Sequence, residues 1–397
     1  MNFQVMNDSL FLLEDNHQKL IGIGVDTSIH GTLEACSAFI KLQKGEHIFC
    51  MLSYDLKNQI ESLSSAHDAR VDFPELFCCV PSYVIRVKNG KVEYLKGERN
   101  DKTEEILAKF NGDLLSDSKQ DIQLSPSLTK EEYLDRVKQL QEHIQQGDIY
   151  EVTFCQEFYA ENATVNPFLV YQRLSKLTQA PYRCFVKHGD AYLLSGSPER
   201  FIRKKENTLS SQPIKGTAKR SDNPELDKAL KQSLLNSSKE KAENVMIVDL
   251  VRNDLSRIAQ RNSVKVDELF GLYSFRTVHQ LISTISAEVD EKVDFKDIIR
   301  ALFPMGSMTG APKISAMKLI EQYEDFRRGM FSGSVGYISP NGDFDFNVII
   351  RSILYDQSKR VVSCPVGGAI TIQSDPESEY EECLLKVDAL QKALLSK

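Results

Sequence analysis

Two rhythms of apolar residues alternate along this chain. In residues 1–110 short runs (AFIKL, HIFCML, LFCCVPSYVIRV) are separated by turn signals such as Asn89-Gly90. Runs of that length, bounded by turns, predict strands with one or two helices among them. Residues 111–128, NGDLLSDSKQDIQLSPSL, are polar and carry a proline, and predict a linker or crossover. A helix follows: Thr129 and Glu132 make an S/T-x-x-E capping box, Tyr133, Val137, Leu140 and Ile144 recur at helical spacing, and Gly147 ends the run. YEVTFCQEFYA then reads as a strand, and residues 191–220 hold further strand-like runs around turns. Helices are expected from about Pro224 to Ile258, from near Pro312, and from about Asp375 to Leu395. GSVGYIS, FNVIIRSILY and RVVSCPV are strand candidates between the last two. With no steady βα period and no internal repeat, the pattern predicts an α+β fold with a large sheet-rich catalytic part.

Composition narrows the class. The net charge of -7 and the lack of any Lys/Arg block argue against a nucleic-acid partner. The first residues, MNFQVMNDSLFLLEDNHQ, lack a basic n-region, and no apolar run approaches the roughly 20 residues of a membrane helix. A cytoplasmic protein without membrane partners is expected. The eight cysteines form no C-x-x-C pair, sit mostly among apolar neighbours, and read as reduced core residues rather than zinc ligands.

The candidate chemistry starts in SQPIKGTAKR, where Lys215 lies between a φ-fixing proline and a permissive glycine. By itself that lysine reads either as an exposed turn residue or as an amine held as a nucleophile. Glu199, in SPERF, lies sixteen residues upstream. It reads either as part of a surface charge cluster or as an acid whose burial would let it protonate a leaving oxygen. Glu240/Glu243 and Glu379/Glu382 are Glu-x-x-Glu pairs, and i,i+3 spacing puts each pair on one helix face. They read as solvated acids, favoured near a helix N-terminus in the second case, or as oxygen ligands for Mg²⁺. Gly367-Gly368-Ala369 reads as a turn following an apolar strand, and Arg351 as the end of the strand FNVIIR; with His279 and Lys386 they fit anion recognition, and each also has an ordinary structural reading.

SPERF, PIKGT, KEKAENVMIVDLVRNDLSR, TVHQLIS, MTGAPKISAM, the arginine of NVIIR and GGAITIQSDPESEYEE occur in that order. From about Tyr133 to the C-terminus this set resembles the chorismate-binding enzymes, which include the anthranilate, aminodeoxychorismate, isochorismate and salicylate synthases. The resemblance implies a single α+β unit of two large antiparallel sheets packed as a sandwich with outer helices. Residues 1–120 would then form an N-terminal part, short for the family, and 121–397 the chorismate-binding region. It also implies chorismate as substrate and Mg²⁺ as cofactor. Glu243 and Glu382 would be the principal ligands, with Glu240 and Glu379 beside them. Gly216, Thr217, His279, Arg351, Gly367, Gly368, Ala369 and Lys386 would bind substrate, and Glu199 would protonate the departing C4 hydroxyl.

The lysine form of the turn, PIKGT, is similar to the aminodeoxychorismate synthases, where anthranilate synthases usually carry PIAGT. The similarity implies attack of Lys215 on C2, then ammonia at C4, giving 4-amino-4-deoxychorismate for p-aminobenzoate and folate. For this the amine must be unprotonated, and nearby Mg²⁺ would help to lower its pKa while neutralising the substrate carboxylates. Isochorismate and salicylate synthases carry a lysine base near the YEVTF position, where this chain has Glu151. No cysteine lies on a G-x-C-x-G glutaminase elbow, which implies a separate glutamine amidotransferase subunit or free ammonia. The alternatives are an anthranilate synthase component I and a non-catalytic sensor of chorismate or tryptophan. Leu12-Leu13-Glu14-Asp15 resembles a stretch of the tryptophan-inhibited relatives.

Overall fold

The computed structural model describes residues 9–111, 122–276 and 278–395. The expected linker lies largely outside them; from its described part, Ser125–Pro126 pairs with the strand Glu151–Ala160.

The residues form an eleven-stranded and a ten-stranded sheet, paired antiparallel. The two pack face to face with helices outside, as expected. Strand residues alternate between two buried environments. In Ile48–Leu52, Phe49 and Met51 enter the core between the sheets, while Ile48, Cys50 and Leu52 face the outer helices. In Ser9–Glu14, Phe11 points inward and Leu10 and Leu12 outward. Burial on both faces is why these strands read as continuous apolar runs. The N-terminal part supplies both sheets: Ser9–Glu14 pairs with Arg183–His188, and Ile48–Leu52 with Ser334–Ile338.

The capped helix Lys130–Gln146 carries its capping box and ends on Gly147 in the left-handed conformation. Two expected elements are divided. The stretch from Pro224 to Ile258 is two helices, Pro224–Asn236 and Ser238–Ser256. Ser237 takes an extended backbone between them, and its side chain caps the second helix at Glu240 N–H. FNVIIRSILY is also two elements: Phe344–Asn347 lies in the ten-stranded sheet and Ser352–Asp356 in the eleven-stranded one. Val348 to Arg351 cross between the sheets, so Arg351 does not end a strand; it sits in the crossing with a φ of 52°. An apolar run cannot reveal such a switch, because both sheets bury both faces.

The strand carrying Glu151 lies next to the end of one sheet, and Ile214–Lys219 ends the other. The helices Ser238–Ser256 and Pro376–Leu394 pack beside these edges, the first against Ile214–Lys219 and Val278–Glu288, the second against Val361–Ile370. This juncture collects the chemistry.

Candidate active site

Lys215 is the second residue of the edge strand Ile214–Lys219 and projects into the juncture. Its Nζ donates to Glu151 Oε1 at 2.7 Å, with side-chain exposures of 11% and 1%. Gly216 follows at φ 89°, a conformation that favours glycine. A Cβ there would also lie 3.1 Å from Glu240 Oε2, so the glycine keeps the backbone close to the helix carboxylates. Burial acts to lower the Lys215 pKa, but the charges of Glu151, Glu243 and Glu199 outweigh it. The pKa therefore lies above the ordinary lysine value. The surrounding carboxylates thus favour the ammonium form of Lys215.

Glu199 is buried immediately before the strand Arg200–Lys205. Ser307 Oγ donates to its Oε1 at 2.7 Å, and Ser197 Oγ accepts from its N–H. Burial pushes its pKa up to about 7, against the opposing pull of Ser307 and the Lys215 charge. That leaves a carboxylic acid able to give or take a proton near neutrality. Ser307, in the GSMTGAPK loop, is a residue that sequence reasoning missed; nothing in its spacing marks it as facing Glu199.

The two Glu-x-x-Glu pairs approach each other through Lys239. Its Nζ lies 3.9 Å from Glu243 Oε1 and 3.5 Å from Glu379 Oε1, joining the two helices. Burial pushes the Glu243 pKa up to about 7 and raises those of Glu240 and Glu379. Glu382 is exposed, with 48% of its side chain accessible; partial desolvation acts to raise its pKa, but Lys386, Lys239 and Arg351 outweigh it and the pKa is lowered. Among the described residues no three His, Cys, Asp or Glu side chains stand close enough together to hold an ion. The donor set still fits a hard cation: four carboxylates, with Glu243 Oε1 buried and lacking a hydrogen-bond partner. Lys239 was not anticipated, although it adjoins Glu240 in the sequence.

Gly367, Gly368 and Ala369 are not a turn after a strand. They lie inside Val361–Ile370, opposite Cys155, Phe154 and Thr153. A Cβ on Gly367 would fall 2.2 Å from Phe154 O, so that glycine permits strand pairing. A Cβ on Gly368 would point at Glu379 Oε2, 3.1 Å away, with Glu382 and Lys386 just beyond. Lys386 Nζ donates to Gly367 O and pairs with Glu382. Arg351 is half-buried, and among the described residues its guanidinium donates no hydrogen bond; desolvation pulls its pKa below the ordinary value, opposed by the Glu382 charge. His279 is buried with both ring nitrogens engaged, by Ser274 Oγ at 2.8 Å and Asp227 Oδ1 at 3.1 Å. Thr217 is exposed, and its hydroxyl accepts from Gln280. Lys215, Glu199, the four helix glutamates, Gly216 and Gly368 thus adjoin one another, while His279 and Thr217 are engaged by the strands and helix beside them.

Arg328 and Glu324, also not anticipated, underpin this arrangement. They form a buried pair at 2.6 Å. Arg328 donates to Met308 O, beside Ser307, and to Thr153 O, two residues from Glu151. Leu13, Glu14 and Asp15 border a small cavity with Tyr182, Arg183 and Asp345, where Glu14 pairs with Arg183.

The aminodeoxychorismate synthase component 1 of Escherichia coli strain K12 is 34% identical over 352 residues, 87% of this chain and 76% of the relative. The anthranilate synthase component 1 of Aquifex aeolicus is 38% identical over 268 residues, 68% of this chain and 54% of the relative. The crystal structure of anthranilate synthase component I from Streptococcus pneumoniae superposes with a TM-score of 0.79 at 25% identity, covering 98% of this chain and 92% of that one. Residues 13–392 match the chorismate binding enzyme family, and with a sandwich whose sheet edges gather a lysine, an acid and two glutamate pairs, the chain belongs to that family.

Proposed function

We propose that this chain is the synthase component that aminates chorismate, using ammonia to form 4-amino-4-deoxychorismate for p-aminobenzoate and folate. The observation that carries this reading is the position of Lys215: an enclosed ammonium, 2.7 Å from Glu151 and within the fields of Glu199 and Glu243. A surface turn lysine would have none of these neighbours. Glu243 and Glu382, flanked by Glu240 and Glu379, would hold Mg²⁺, which when bound neutralises substrate carboxylate charge. Arg351, Lys386 and the Gly368 backbone would orient the carboxylates of chorismate. Gly216, Thr217, His279, Gly367 and Ala369 would complete the walls.

In this mechanism the Lys215 amine forms a bond to C2, the two ring double bonds shift, and the C4–O bond breaks. Glu199 gives its proton to the departing hydroxyl, which leaves as water. Ammonia then attacks C4, the double bonds shift back, and the C2–N bond breaks with its electron pair returning to Lys215. The C4 ammonium gives a proton to the Glu199 carboxylate and resets it. The sum is chorismate plus ammonia to aminodeoxychorismate plus water.

The nitrogen would come from a separate glutamine amidotransferase. All eight cysteines are buried, so none is placed as a glutaminase nucleophile, and the Escherichia coli relative is named a component 1. No helix among the described residues is long and apolar enough to cross a membrane, in keeping with a cytoplasmic enzyme.

Product analysis with chorismate and Mg²⁺ tests the reading. Ammonium salts should yield aminodeoxychorismate, which an added aminodeoxychorismate lyase converts to p-aminobenzoate; glutamine should yield none without a partner. Anthranilate as the main product would instead assign the chain to the anthranilate synthases.

A further inference from the structure

Glu151 has no part in the reaction as derived so far, yet it is the side chain in hydrogen-bond contact with the Lys215 nitrogen. It opens the strand Glu151–Ala160 and lies opposite Ala311, whose carbonyl accepts from Tyr150 N–H. Its side chain is 1% exposed, and its second oxygen, Oε2, is buried without a hydrogen-bond partner. The other carboxylates whose charge reaches Lys215 are Glu199, from before Arg200–Lys205, and Glu240 and Glu243, from Ser238–Ser256. Glu199 is held by Ser307, and no hydrogen bond joins either helix glutamate to the lysine. A proton leaving Lys215 inside this enclosure therefore has one adjacent acceptor.

We infer that Glu151 is a further catalytic residue, taking the proton that Lys215 must lose before attacking C2 and returning it when the lysine is expelled. The inference rests on Lys215 being the nucleophile. In the first step Lys–NH₃⁺ and Glu–COO⁻ become Lys–NH₂ and Glu–COOH, and the freed lone pair forms the bond to C2. In the last step the C2–N bond breaks, Lys215 departs as a neutral amine, and Glu151 protonates it, restoring the original pair. No proton crosses to solvent, and no further reactant is needed. The alternative is that Glu151 is only a fixed counter-charge, and the two roles differ in pH dependence. An internal acceptor makes the supply of amine independent of bulk pH. Without one, the amine exists only as far as solvent deprotonates the lysine, so its fraction rises about tenfold per pH unit below the lysine pKa.

The test uses the full chain with Mg²⁺ and chorismate but no ammonia, quenched rapidly and read by mass spectrometry of the Lys215 peptide. Adduct formation is followed from pH 6 to 8.5 in wild type, E151Q and E151D. The ratio of the E151Q rate to the wild-type rate cancels the ionisation of Glu199 and should climb about tenfold per pH unit. E151D, which keeps the carboxylate, should return the ratio to a flat line. A ratio for E151Q that is constant with pH, with adduct present in both proteins, overturns the role of Glu151 and leaves Lys215 as nucleophile. Absence of an adduct in wild type at every pH overturns the nucleophile assignment and this inference with it.

Discussion

Lys239 on the helix Ser238–Ser256 reaches Glu379 on the helix Pro376–Leu394 at 3.5 Å, and the same ammonium lies 3.9 Å from Glu243. One cation thus joins the two helices that carry the four glutamates. Burial raises the pKa values of Glu240, Glu243 and Glu379, and like charges add to it: Glu382 and Glu379 act on Glu240 across the juncture, Glu240 and Glu151 on Glu243, and Glu382 on Glu379.

If Mg²⁺ binds these carboxylates, removing one charge weakens it without harming the packing. Glu243→Gln or Glu382→Gln should raise the Mg²⁺ concentration for half-maximal turnover by roughly tenfold or more. The circular dichroism spectrum should not change. Metal titration of activity and of intrinsic fluorescence checks this; an unchanged titration in both variants would refute the ligand assignment.

Replacing the lysine tests the covalent step directly. Lys215→Ala converts the turn to PIAGT and removes a positioned amine, an advantage that reaches about 7 kcal/mol or more in well-oriented systems. Aminodeoxychorismate formation from ammonium should fall at least roughly a thousandfold, and no substrate-derived mass should remain on the 215 peptide. Full retention of that product by the variant would contradict covalent participation.

Glu199 should impose a pH limit on both rate and stability. The acid role requires the protonated form, so turnover at saturating chorismate should decline as pH rises through about 7. The linkage has the same sign. The folded pKa is raised above the unfolded value, so the stabilising contribution is complete below about pH 4.5 and is lost as pH rises through about 7. Glu199→Gln removes the ionisation; relative to wild type it should gain up to about 3 kcal/mol between pH 5 and 8. Urea denaturation at the two pH values measures the difference, and equal shifts at both would show that Glu199 is not a buried acid.

Breaking the Arg328–Glu324 pair should be severe. Both side chains are almost wholly buried, and Arg328 also serves Met308 O and Thr153 O. Arg328→Met leaves Glu324 as an uncompensated buried charge, costing about 3–5 kcal/mol. Thermal unfolding should reveal the loss, and Glu324→Gln in the same background should recover part of it.

Much of this protein is legible along the chain because its signals are local. The capping box Thr129–Glu132, the αL glycine after Gln146 and the proline-led start of the last helix depend on a few adjacent residues. The order of motifs from SPERF to the final Glu-x-x-Glu sufficed to suggest the family and the candidate residues. Tertiary structure alone decided which partners those residues meet. The crossing at Val348–Arg351 and the break at Ser237 hide in apolar and helical runs, since sheet identity and helix direction leave no trace in periodicity. Glu151 and Lys215 lie 64 residues apart, and Ser307 is 108 from Glu199. Lys215 has a raised pKa because three carboxylates from separate elements surround it, outweighing a burial that would have lowered it. A local sequence window states which groups can ionise; the field that sets their protonation is a sum over distances that only the folded chain possesses.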